Sequence, residues 1–150
     1  MPDAAHMILS AEDVAADDPG LVAALSVADL PTDDLAEAGG VLLAFRGEGG
    51  AVLGYGGYER HGSHALIRSV VVAASMRGQG IGAALLPLLL RHAADAGARD
   101  AWLLTTTAAA FFARLGFRPV ARGDAPQAIL ATRQAASLCP SSATLMHRKV

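Results

Sequence analysis

Cysteine is nearly absent from this chain: Cys139 is the only one. A single cysteine excludes an intrachain disulfide and any metal site built on several thiolates. Aromatic residues make up 5% of the 150 residues, and 12 Lys and Arg stand against 14 Asp and Glu, for a net charge of -2. No basic block occurs, which argues against a nucleic-acid-binding surface. Long apolar runs are also missing, and the longest fall far short of the roughly 20 residues that a membrane span needs. The first thirteen residues lack a basic end followed by an apolar run, so no secretory leader is expected. The expectation is a cytoplasmic protein without nucleic acid, membrane or resident metal. What is abundant is apolar: 53% of residues are hydrophobic, enough for a sizeable core. The length suits a single domain over residues 1–150. Abundant Ala and Arg with little Lys suggest a GC-rich bacterial genome.

Periodicity and turn residues divide the chain. Met7–Leu9 reads as a short first strand, and Ser10 with Asp13 three residues on reads as a helix N-cap. The helix that follows is expected to break near Pro19-Gly20, with Leu21, Leu25 and Ala28 repeating at helical spacing beyond it. Pro31–Asp34 opens a second helix that Gly39-Gly40 ends. Val41–Phe45 and Ala51–Glu59 form a hairpin about Glu48-Gly49-Gly50. After His61-Gly62-Ser63 comes the longest strand, Ala65–Ala73. A Leu-rich helix starts near Ile81, carries Pro87 inside it and stops at Gly97. Then follow a strand Ala101–Thr105, a helix Ala108–Leu115 closed by Gly116, a strand Phe117–Ala121, a helix Gln127–Ala136 preceded by Asp124 and Pro126, and a strand Ala143–His147.

The most informative stretch is Arg77-Gly78-Gln79-Gly80-Ile81-Gly82. It lies between the β-branched run Val70-Val71-Val72 and a helix start. Glycines let backbone approach a ligand closely. The first N–H groups of a helix lack intrahelical partners and favour an anion. Arg77 adds a planar, permanently charged fork suited to phosphate oxygens. Gly78-x-Gly80-x-x-Ala83 also satisfies the dinucleotide fingerprint, but that reading needs an acid at the end of the next strand. Here that strand ends in Thr105-Thr106-Thr107, and the upstream part is an antiparallel meander.

Arg77-x-x-Gly80-x-Gly82 after a strand and before a helix resembles the acyl-CoA-binding motif of the GCN5-related N-acetyltransferase (GNAT) family. Phe111-Phe112-Ala113-Arg114-Leu115-Gly116-Phe117 resembles a second segment of that family, and the element order agrees over roughly residues 7–121. Leu103–Ala108, Ala131–Gln134 and Ser137–Pro140 resemble the branch of these enzymes associated with arsenic-resistance operons. The resemblance implies an α+β fold of three layers, the GNAT-type acyl-CoA N-acyltransferase fold. Its sheet is mixed, mostly antiparallel and twisted, and is flanked by helices. It also implies acetyl-CoA as cosubstrate, no metal, and a small-molecule amine as acceptor.

Carried onto this chain, the resemblance puts the pyrophosphate on Arg77, Gly78, Gln79, Gly80, Ile81 and Gly82. It puts the pantetheine arm along Val70, Val71 and Val72, with Thr105, Phe111 and Phe112 also at the cosubstrate. One strand N–H, taken as that of Val72, faces the developing oxyanion, where a preset donor is worth a few kcal/mol. An amine arrives protonated at neutral pH and needs a base. Glu59, at the end of the strand beside Val70–Val72, is the candidate base and a candidate acceptor contact. The alternative is a solvated strand-end carboxylate. His61 and His64 read as ordinary surface histidines, and His92 as packed. Arg68, between apolar neighbours, and Arg133, in the tail, are candidate anchors for an acceptor carboxylate. For Arg68 the alternative is a salt bridge to Glu59 or another acid, and for Arg133 a solvated helix face.

Phe112 departs from the family, many of whose members place a Tyr there to protonate the leaving thiolate. Either CoA thiolate leaves unaided, its pKa being roughly 8.5, or Tyr55, Tyr58 or a hydroxyl of Thr105–Thr107 substitutes. Cys139 reads as inert. A CoA-binding regulatory module and an acetyltransferase acting on a protein amine remain open alternatives. A final strand after a long loop leaves a homodimer open as well.

Overall fold

The fold is described from a computed structural model covering residues 9–32, 35, 40–132, 135–136 and 142–150. Seven strands form one sheet: β1 (Ser10–Asp13), β2 (Gly40–Arg46), β3 (Val52–His61), β4 (His64–Val72), β5 (Asp100–Thr105), β6 (Arg118–Pro119) and β7 (Thr144–Lys149). Their order across the sheet is β1-β2-β3-β4-β5-β7-β6. Every neighbouring pair is antiparallel except β4 and β5. The helices are α1 (Pro19–Val27), α2 (Ile81–Asp95), α3 (Ala109–Arg114) and α4 (Gln127–Leu130).

Alternation along the strands feeds two apolar layers. Leu43, Phe45, Tyr58, Ile67 and Leu103 face α2 and α3. On that side Leu85, Leu86 and Leu89 of α2 are fully buried, each worth about 1.5–3 kcal/mol against exposure. The other side carries two separate patches. Leu42, Ala44, Tyr55 and Val71 meet Leu21 and Leu25 of α1, while Leu66, Trp102 and Leu145 meet Ile129 of α4. Three glycines of β3 let its neighbours come close. A Cβ on Gly54 would lie 2.7 Å from the Val71 carbonyl oxygen, and one on Gly57 would lie 2.6 Å from that of Val41.

The N-terminal expectation changes. Ser10–Asp13 is not a helix start but an exposed edge strand paired with β2. Pro19 does not break a helix. It opens α1, where its missing N–H costs nothing, and the Asp18 side chain accepts from the Leu21 N–H at 3.0 Å. Met7 and Ile8 of the expected first strand, and most of the expected Pro31–Gly39 helix, lie outside the described residues. The strand expected at Phe117–Ala121 narrows to Arg118–Pro119, although the Val120 N–H still donates to Leu145 at 2.8 Å. Pro126 itself is the N-cap of α4, and Asp124 ends a 3-10 turn begun at Arg122. Among the described residues α4 stops at Leu130, short of the expected Ala136. α2 runs through Pro87 without ending.

Candidate functional site

β4 and β5 pair only at His64, Ala65 and Leu66, against Asp100, Ala101 and Trp102. Beyond that point the two parallel strands are unpaired, and between them lies a cavity of about 950 Å³. The edge of β4 is therefore open over its second half. The Ala73 N–H donates to the Leu53 carbonyl of β3 at 2.8 Å. Successive N–H groups of an extended strand point to opposite edges, so Val71 points toward β3 while Val70 and Val72 point at the cavity. All three line it.

A bulge precedes them. Gly57 pairs with Arg68 and Tyr55 with Val71, so β4 carries one extra residue there. Ser69, in that stretch, has φ of 58°. A positive φ is uncommon for a serine, and strain of this kind gathers at functional sites. Ser69 is buried and lines the cavity, and its Oγ accepts from Arg68 Nε at 3.0 Å. No sequence signal pointed to Ser69, because the bulge depends on the pairing of β3 with β4.

The glycine run turns into the helix as its sequence suggests. Gly78 and Gly80 have φ of 82° and 76°. Gly80 is the N-cap of α2 and no side chain caps that end, so its first N–H groups remain open to an anion. Arg77, Gly78, Gly80, Ile81 and Gly82 line the cavity. Gln79 is not among the lining residues. A Cβ on Gly82 would lie 3.1 Å from Phe111 Cζ, so the bare glycine lets α3 sit against the first turn of α2. Phe111 and Phe112 pack edge to face at 5.1 Å and both line the cavity. The Thr105 Oγ accepts from the Ala108 N–H at 3.0 Å, opening the turn into α3. An uncapped helix start beside left-handed glycines, an open strand edge and a cavity of this size fit a nucleotide thioester.

The lining comes from both sides of the sheet. α2 and α3 supply lining from one face, and the loop after α1 supplies it from the other, with Arg68 of β4. Arg68 is buried, and besides Ser69 it reaches the Pro31 carbonyl with Nη2 at 3.4 Å. Glu59 is also buried but does not line the cavity. It pairs with Leu66 while Gly57 pairs with Arg68, so Glu59 and Arg68 are diagonal neighbours on one face, between the two apolar patches. Arg133 and Cys139 lie outside the described residues.

Neither tyrosine reaches the cavity. The Tyr58 hydroxyl is 2.7 Å from His92 Nδ1 beneath α2, which confirms His92 as a packed side chain. Tyr55 packs under α1. Burial pushes both phenols above their usual value. The hydroxyls that line the cavity among the described residues are those of Ser69, Thr105, Thr106 and Thr107. His64 is not an ordinary surface side chain, because its Nδ1 accepts from Trp102 Nε1 at 3.2 Å.

Residues 7–117 match the Acetyltransferase (GNAT) family. The chain belongs to this family. Its fold is the GNAT acyl-CoA N-acyltransferase fold. An acyl-CoA N-acyltransferase structure from Klebsiella pneumoniae superposes with a TM-score of 0.74 at 22% identity, covering 97% of this chain and 98% of that one. N-acetylglutamate synthase from Neisseria gonorrhoeae, with coenzyme A and N-acetyl-glutamate, gives 0.74 at 15% identity. That alignment covers 95% of this chain but 35% of that one, so this GNAT chain spans about a third of the larger protein. Rv2747 from Mycobacterium tuberculosis, complexed with CoA and a second ligand, gives 0.72 at 18% identity over 94% of this chain and 99% of that one. No curated protein matches the chain. No helix among the described residues is long and apolar enough to cross a membrane. No group of three or more His, Cys, Asp or Glu among them could hold a metal ion.

Proposed function

We propose that the chain moves an acetyl group from acetyl-CoA to the primary amine of a small, carboxylate-bearing molecule by direct attack in a ternary complex. The observation that carries this reading is the cavity lined from both faces of the sheet, with an uncapped helix start and a buried arginine among its lining. The cosubstrate supplies an activated acetyl thioester. The α2 N–H groups and Arg77 bind the pyrophosphate, with Gln79 bordering that loop. The open edge of β4 pairs with the pantetheine arm in the manner of an added strand, and Thr105, Phe111 and Phe112 wall its path. The Val72 N–H donates to the oxygen that gains charge on attack, with Val70 the second donor on the same edge.

Arg68 receives the acceptor's carboxylate, its fork set by Ser69 and Pro31. Glu59 takes the amine proton through a water, since it stands one diagonal step away on the same face. Arg133 is a second proposed anchor. That an N-acetylglutamate synthase sharing this fold over about a third of its length was solved with coenzyme A and N-acetyl-glutamate supports an amino-acid-like acceptor. The likeness of Leu103–Ala108 to the arsenic-resistance branch favours a small molecule over a protein and does not identify it.

Amine-dependent release of thiol from acetyl-CoA tests this reading. Phe112, at the place where many relatives carry Tyr, favours one alternative, a CoA-binding regulatory module. Tight CoA binding with no release of thiol for any amine would establish that alternative instead.

A further inference from the structure

Among the described residues, Asp29 is the one acidic residue that lines the cavity, and it is exposed. Asp29 has φ of 57°, in the left-handed region that glycine fills most readily. It follows Ala28, the C-cap of α1. Its N–H donates to the Ser26 carbonyl at 3.1 Å and the Leu30 N–H donates to that of Leu25 at 2.9 Å. These two crossed bonds are the Schellman closure, whose left-handed position is usually Gly. The backbone here calls for glycine, and the chain has an acid. No described residue gives that carboxylate a hydrogen bond or an ion pair.

Two residues on, the Pro31 carbonyl accepts from Arg68 Nη2. The short loop that presents Asp29 is thus pinned to α1 at one end and to the buried arginine at the other. Arg68 and Asp29 therefore both line the cavity and are tied together through this loop.

We propose that Asp29 and Arg68 together read a zwitterion, with Asp29 accepting hydrogen bonds from the acceptor's ammonium group and Arg68 donating to its carboxylate. This inference rests on the function proposed above and narrows it to a free amino acid. A simple amine lacks the carboxylate, and a lysine side chain in a protein has none beside its amine. Asp29 is then a specificity residue, and the left-handed strain is kept because glycine would remove the carboxylate.

The test uses the full chain with acetyl-CoA, the standard L-amino acids, and the decarboxylated amine of the best of them. The wild type is expected to prefer that amino acid over its decarboxylated amine by about a hundredfold in kcat/KM, the scale of losing one charged partner. Asp29→Asn and Asp29→Gly are each expected to raise its KM about tenfold, with KM for acetyl-CoA unchanged. Asp29→Gly should hold or raise the thermal midpoint, because it relieves the strain. A purely structural residue would give the stability gain without the KM change. Wild-type KM in both variants, or equal turnover of amino acid and decarboxylated amine, overturns the inference while leaving acetyl transfer standing. No thiol release by the wild type with any amine overturns both.

Discussion

At the scale of single residues, the two tyrosines make a prediction about pH. Tyr55 and Tyr58 have phenols raised chiefly by burial. Asp18 adds to the rise at Tyr55 and Arg46 opposes it, while at Tyr58 Arg60 opposes and Asp13 adds. Unfolded phenols lose their protons near pH 10, while the folded ones still hold theirs. Their contribution to stability is therefore whole below about pH 10 and is lost as pH climbs through the raised values. Tyr58→Phe should flatten that alkaline fall and cost about 1 kcal/mol at pH 8 by removing the bond to His92. Urea unfolding at pH 8 and at pH 10.5 checks both.

Phe112 makes a second prediction. Its ring is buried against Phe111 and Phe117, and a thiolate of pKa roughly 8.5 leaves without strong acid help. Phe112→Tyr should then alter kcat by less than about threefold, and a large gain would show that the missing hydroxyl limits turnover. Arg68→Ala should raise KM for a carboxylate acceptor by about tenfold or more, since a hydrogen bond to a charged group is worth about 1.5–3 kcal/mol. Unchanged KM in Arg68→Ala and in Arg133→Ala would remove the carboxylate from the acceptor.

At the scale of elements, the glycine run and the strand before it were legible in the sequence, and so was Arg68, while Asp29 and Ser69 were not. The glycine run, the β-branched strand before it and the Phe pair each occupy contiguous stretches whose local chemistry announces them. Asp29 and Ser69 are set by tertiary geometry, one by a helix closure and one by a bulge, and neither follows from residue spacing. β1 escaped notice because all four of its residues are exposed, so it has no apolar alternation, while Ser10 and Asp13 imitate a cap. β2 to β5 and α2 were legible because each buries one strongly patterned face. The helix–helix contact at the cradle gives the prediction for this scale. Ala at Gly82 would bring its Cβ to 3.1 Å from Phe111 and 3.6 Å from Val72. Overpacking of this kind costs about 1–3 kcal/mol, so Gly82→Ala should raise KM for acetyl-CoA about tenfold. Wild-type KM for acetyl-CoA in this variant would mean the first turn of α2 does not shape the cosubstrate site.

At the scale of the whole molecule, the proposed function rests on a sheet that parts. β4 and β5 begin as neighbours at His64 and Asp100 and end on opposite walls of a cavity, and the proposed function has two ligands enter from opposite faces and meet at the edge of β4. On the α2 face one core spans both groups of strands, while the opposite face carries two separate patches. The central claim is that this opening brings a thioester and an amine together for direct transfer. Thiol release from acetyl-CoA, measured with and without an amino-acid panel, tests it most directly. The account predicts release that saturates with one amino acid and is negligible without it. Release independent of any amine, or none at all beside tight CoA binding, would contradict it.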